Sequence, residues 1–468
     1  MIATHKAKQL QALLGALPPI IAARLAQAVE LDRLADGKTL PHELILEGLR
    51  PVLRRSSNGE RIATPLRMFC RPFEDLLTGH TRKEKQKGRI ARASILPVWN
   101  WLGQTLVPNA VTAFSIGVKT AALGFKTDDV MEHAAQFWSA AALAIHEALG
   151  SERGRKAARA LLESDAAVEN AREMAFLMSI GKEILELQQK LPRPLPTLTV
   201  DFVWKLREIY DRVVESSPDA APYIAVVAMN RLERPWESLK LPLMILRQTQ
   251  DTLISSSDMG MAGEIMFGDI EMHGSAIRAA RPQQFDAEDL LTHLAGFTAL
   301  SSGMVKAIEM RRDGKWGQRL MKDRSAVAEV MEGFMERAAK EILAALPTQK
   351  SGSYAGGPRV PDISHAADPE KTERGMNYAG LVVGCRQLAP AASFGAANKN
   401  ALEEVALALK SYNEDLLKEL RAAEGERRMH AEQYFAIATE LAGMFFSADE
   451  AEILRRRGRA ATGTAAAA

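Results

Sequence analysis

The segment Gly260–Ser275 gathers the side chains best able to hold a cation. Asp269 and His273 stand four residues apart, and Glu264 and Glu271 stand seven apart, so on a helix each pair shares a face. Imidazole and carboxylate at such spacing are what helices offer a metal ion. Glycines and Met261, Met266 and Met272 lie among them, which describes a pliable helix with a polar patch for a metal or a polar ligand. The same spacing also arises on the solvated face of a helix that packs closely through its glycines. That plainer reading carries more weight, because short patterns of this kind recur by chance. No cofactor is evident.

A second concentration of chemistry is electrostatic. Between Arg50 and Arg92 there are twelve basic residues, among them Arg82, Lys83, Lys85, Lys87, Arg89 and Arg92, against the four acids Glu60, Glu74, Asp75 and Glu84. An uncharged run beginning Ile95-Leu96-Pro97-Val98-Trp99-Asn100-Trp101 follows directly. Cations beside Trp99 and Trp101 suit an anionic membrane surface, where indole rings settle among headgroups. They equally suit a nucleic acid, whose phosphates take the charges and whose bases stack on aromatics. The plain alternative is a solvated basic loop leading into a core helix that buries both tryptophans.

Familiar catalytic signatures do not occur. The nearest imitation of a phosphate loop, Gly117–Thr127, has the wrong glycine spacing and no preceding strand. Cys70 and Cys385 are the only cysteines, and two thiols so far apart fit a reducing compartment better than a disulfide framework. Neither has a histidine at helical spacing, so a thiol nucleophile is unsupported.

The elements that must position these residues are helical. Lysine and arginine total 60 against 58 acids, a net charge of +2, and 47% of the chain is hydrophobic; a chain so balanced folds, and has no overall field for a polyanion. Residues with high helix propensity dominate. Apolar stripes at helical spacing run from Trp316 through Leu320, Val327, Met331, Phe334 and Ile342, and from Leu402 through Val405, Leu409, Tyr412, Leu416 and Leu420. A third helix is predicted from a cap at Ser164 or Asp165 to the stop at Pro192. The longest uncharged run, Ile95–Val118, is diluted by prolines and amides, so it is read as a buried or interfacial segment and not as a membrane span.

These patterns predict an all-α, multi-helix assembly of antiparallel helices in two lobes, with a C-terminal helical hairpin or bundle. The expected divisions are an N-terminal lobe over 1–190, a stiff proline connector at 191–197, a second lobe over 198–346, a flexible linker over 347–369, a helical segment over 370–447 and a disordered tail over 448–468. The functional expectation is a cytoplasmic interaction or scaffold protein that binds protein partners or itself through its helical faces. One alternative is peripheral binding of an anionic surface, membrane or nucleic acid, through residues 50–107, which would place the chain at the inner membrane surface. Another is an enzyme or ligand-binding protein with a pocket between helices, invisible to motif reading.

Overall fold

The computed structural model describes residues 10–55, 62–79, 85–242, 260–308, 310–350 and 359–463. Helices account for most of these residues and the strands are only two or three residues long, so the fold is all-α. The chain divides into two compact units, Met1–Leu246 and Arg247–Ala468.

The first unit opens with α1 (Pro19–Leu34) and α2 (His42–Arg55), which bury Ala22, Ala26, Leu49 and Val52 against each other. A short helix, α3 (Pro65–Cys70), and a 3-10 turn over Arg71–Leu76 lead to a two-residue strand, β1 (Leu77–Thr78), which pairs in parallel with β2 (Ile90–Ala91). Then come α4 (Ile95–Trp101), a π-helical turn over Leu102–Leu106, and α5 (Pro108–Leu123). Pro108 occupies a first helical position, where its missing N–H goes unmissed, and the chain bends there by 118°. Among the described residues no single helix is long and apolar enough to cross a membrane; only this bent pair has the length and composition. The core of the unit is α6 (Thr127–Leu149), packed on α5 and on α8 (Asp165–Ser179), with α7 (Glu152–Leu162) between α6 and α8 in sequence. Three further helices, α9 (Gly181–Lys190), α10 (Val200–Ser216) and α11 (Pro222–Arg231), complete it.

The second unit starts with α12 (Gly260–Ala279), α13 (Ala287–Ala307) and the long α14 (Lys315–Leu343). A small antiparallel pair, β3 (Thr348–Lys350) with β4 (Arg359–Pro361), precedes α15 (Pro369–Gly384), α16 (Gly395–Ala422), α17 (Gly425–Phe445) and α18 (Ala448–Gly463). Asp286 and Asp368 cap α13 and α15 by accepting from backbone N–H groups of the first turn. The stripe from Trp316 to Ile342 is buried along α14, and the seam from Val405 to Leu420 along α16.

Several expectations need correction. The helix begun by Ser164, whose hydroxyl accepts from Ala167 N–H as a cap should, breaks at Ile180. Gly181 restarts it beneath Trp138, whose ring leaves no room for a Cβ there. The proline segment 191–197 is no boundary: Leu191 and Leu195 are buried, and Leu195 exchanges backbone hydrogen bonds with Arg231 and Glu233. A connector with side chains to bury and a strand-like partner to meet belongs inside a core. The division falls instead at 246/247. The supposed linker 347–369 carries both strands of the hairpin and a fully buried Ile363; its 351–358 portion lies outside the described residues. Within the supposed disordered tail 448–468, residues 448–463 form α18, which buries Ala451, Leu454 and Ala461 and ties Arg457 to Glu414 of α16 in a bidentate pair; 464–468 lie outside the described residues.

Candidate functional site

The basic stretch does not present a common face. Arg82 and Lys83 lie outside the described residues. The Lys85 ammonium is largely buried and sits 2.5 Å from the Glu173 carboxylate of α8, whose other oxygen accepts from Gly88 N–H at 2.7 Å. Burial pushes the Glu173 carboxyl above its usual value and the Lys85 ammonium below its own, outweighing their mutual attraction. Arg89 donates to the Asn230 side chain at 2.8 Å. Among the described basic residues of the stretch, Arg50, Lys87 and Arg92 are exposed. Trp101 is buried, and Trp99 packs into an aromatic cluster with Phe69, Phe114 and Phe137 at centroid separations of 5.2 to 6.1 Å. Both indoles therefore stabilise the core of the first unit.

A second buried network lies in the same unit. Asp75 meets Arg231 at 3.0 Å, Arg193 at 2.8 Å and the Gln188 amide at 3.1 Å, while Arg231 also donates to the Leu191 and Gln188 carbonyls. These contacts bind α9, α11 and the 191–197 segment together. Burial pushes the Cys70 thiol up to about 12, so it stays protonated and unreactive near neutrality.

The four residues singled out on α12 separate. Glu264 accepts from the Trp316 indole at 2.8 Å and pairs with Arg319 at 3.1 Å, holding α12 to α14. Glu271 pairs with Arg278 at 2.6 Å and accepts from Ser275. His273 instead turns towards His293 of α13, a residue absent from the sequence reading, with the two Nδ1 atoms 3.1 Å apart. Asp269 lies one helical turn before His273 and is half-buried. Among the described residues no three His, Cys, Asp or Glu side chains converge to hold a metal ion.

The site with the most distinctive chemistry is a cavity of about 680 Å³ along one stripe of α14. Gly317, Leu320, Arg324, Ala328 and Glu332 recur on that stripe, and Met310, Arg312 and Ser393 close over it. Gly317 is needed at one end, because a Cβ would run into the Arg311 carbonyl and keep the 311–312 backbone from approaching α14. Ser393, at a left-handed φ of 70°, turns the chain at the other. Leu320, Ala328, Met310 and Met321 make the walls largely apolar.

Arg324 gives this cavity its charge. Its guanidinium is half-buried; among the described residues its Nε has no hydrogen-bond partner, and Nη2 makes a long 3.3 Å bond to the Ser302 hydroxyl. No carboxylate among the described residues lies within ion-pair distance of it, and burial alone lowers its pKa. A guanidinium taken partly from water without a counter-charge is held at a free-energy cost. Arg312 adds a second cation at the rim, while Glu329 and Glu332 put negative charge towards the far end. The arrangement suits a ligand with one anionic group, lodged at Arg324, and an apolar body lying along α14. The chain matches no known protein family, no curated protein and no solved structure.

Proposed function

We propose that this protein is a helical ligand-binding protein whose second unit takes a small amphipathic anion into the cavity along α14. The observation that carries this reading is Arg324, a half-buried cation that, among the described residues, has an unpartnered Nε and no carboxylate opposite it. A carboxylate or phosphate supplies the two acceptors that a guanidinium fork matches. The volume of about 680 Å³ is within the range of small-molecule sites. Glu329 and Glu332 select against a second anionic group, since like charges in a confined space repel.

The test compares octanoate and octyl phosphate with suberate, a dicarboxylate of similar length, by calorimetry on the full chain. The single-headed ligands bind to wild type at least tenfold more tightly than suberate does, and Arg324→Ala removes that binding. If none of the three binds, or if Arg324→Ala binds them unchanged, the reading fails.

A further inference from the structure

The imidazoles of His273 and His293 meet between α12 and α13 with their planes at 64° and their Nδ1 atoms 3.1 Å apart. Two neutral rings in this arrangement share one proton, with one ring donating its Nδ1–H to the other. The same separation is close to another geometry. Two imidazole nitrogens bound tetrahedrally at about 2.0–2.1 Å from a dication stand roughly 3.3 Å apart, so an ion enters after a ring shift of a few tenths of an ångström.

Three surrounding features fit a metal better than a shared proton alone. His293 Nε2 faces Asp289 Oδ1 at 3.7 Å, and a carboxylate behind the imidazole is how proteins commonly hold a metal-bound histidine in the correct tautomer. Asp269 stands at the same four-residue spacing before His273, so α12 and α13 both carry the spacing Asp-x-x-x-His. Gly296 of α13 lies beneath the His273 ring, where a Cβ would come within 2.5 Å of ring atoms. Only glycine leaves the imidazole the room it takes.

We propose that His273 and His293 form a transition-metal site that binds a borderline dication such as Zn²⁺, Ni²⁺ or Cu²⁺ through both Nδ1 atoms, with water or an external ligand in the remaining positions. Imidazole suits these ions, and oxygen-seeking Mg²⁺ and Ca²⁺ are poor competitors for two nitrogens. The proton count balances. Before binding, one ring carries its hydrogen on Nδ1 and the other on Nε2; after binding both carry it on Nε2, so the neutral pair releases no proton. In acid, each imidazolium must lose a proton first, and affinity falls. This site is separate from the cavity along α14, and its test does not depend on that reading.

Isothermal titration of the chelator-stripped full chain with zinc chloride at pH 7.5 decides the matter. One zinc binds per chain. His273→Ala and His293→Ala each weaken it at least a hundredfold, and Gly296→Ala weakens it although both imidazoles remain. Asp289→Asn weakens it about tenfold, as loss of a carboxylate behind a metal-bound histidine does. Should either histidine variant fail to fold, the zinc-induced rise in the thermal midpoint of wild type, reduced in Asp289→Asn, reads the same site. The proposal is overturned if wild type takes up no zinc at about 100 µM, or if zinc binding survives unchanged in both histidine variants or, where these do not fold, if Asp289→Asn leaves the zinc-induced shift intact.

Discussion

Asp75 in the first unit and Arg324 in the second are both charges drawn out of water, and they are treated in opposite ways. Asp75 is wholly buried and meets two arginines and an amide. Arg324 is half-buried and meets one hydroxyl at 3.3 Å. Among the described residues, the orphaned atom of the Asp75 network is an uncharged one, Gln188 Oε1. On α14 two successive charged residues, Asp323 and Arg324, each leave a buried atom without a partner. A compensated network holds helices in register, while an uncompensated charge beside a cavity is what a ligand can complete.

The largest effect that would break this comparison is at Arg231. Arg231→Met leaves Asp75 with one exposed arginine and the Gln188 amide and should destabilise the first unit by about 3–5 kcal/mol, the usual result of removing one member of a buried pair. Urea unfolding measures it. The double variant Asp75→Leu, Arg231→Met should recover much of that loss, and a double variant as unstable as the single one would show that packing and not charge governs the site.

Trp101→Ala should cost about 3 kcal/mol or more, because it empties a buried aromatic position. A loss under about 1 kcal/mol, with weakened adsorption to acidic vesicles, would return the indole to the surface role that its basic neighbours suggest.

A smaller effect is pH-dependent. Burial holds the Glu173 carboxyl above its usual 4.5, so the native state binds that proton more tightly than the unfolded chain. The resulting stabilisation is full below pH 4.5 and is lost as pH rises through the raised value. Glu173→Gln should remove this decline from the plot of thermal midpoint against pH, and an unchanged slope would mean that Lys85 keeps the carboxylate charged throughout.

Arg324→Leu should raise the stability of the ligand-free protein by about 1 kcal/mol, since it removes an unsatisfied buried donor. Destabilisation of that size instead would make Arg324 a structural residue and sharpen the contrast in the other direction. Lys87→Ala should change stability by less than about 0.5 kcal/mol, as expected for an exposed charge.

Much of the helical architecture was legible. Local chemistry sufficed where the signals were local: the Ser164 cap, the stripe from Trp316 to Ile342, the seam from Val405 to Leu420. The breaks were less so. The interruption at Ile180 sets Gly181 beneath the ring of Trp138, about forty positions away, a contact that no local signal reports. The order of 448–463 follows from Arg457 reaching Glu414 and from Ala451, Leu454 and Ala461 being buried, a sparse stripe among charged residues.

The candidate sites were barely legible, for a definite reason. Arg319 and Arg324 lie five residues apart on one helix and are chemically identical in the sequence. Tertiary packing places Glu264 and the Phe267 ring against Arg319 and, among the described residues, gives Arg324 no carboxylate. His293 could have been found through the repeated Asp-x-x-x-His spacing, yet nothing in the sequence says that the two repeats face each other. Composition and periodicity by themselves determined that the chain is helical and where the helices at Ser164, Trp316–Ile342 and Val405–Leu420 run, because propensity, caps and stripes act over a few residues. Which charges are compensated and which histidines meet was decided only by the tertiary structure, because those depend on partners brought together from distant positions.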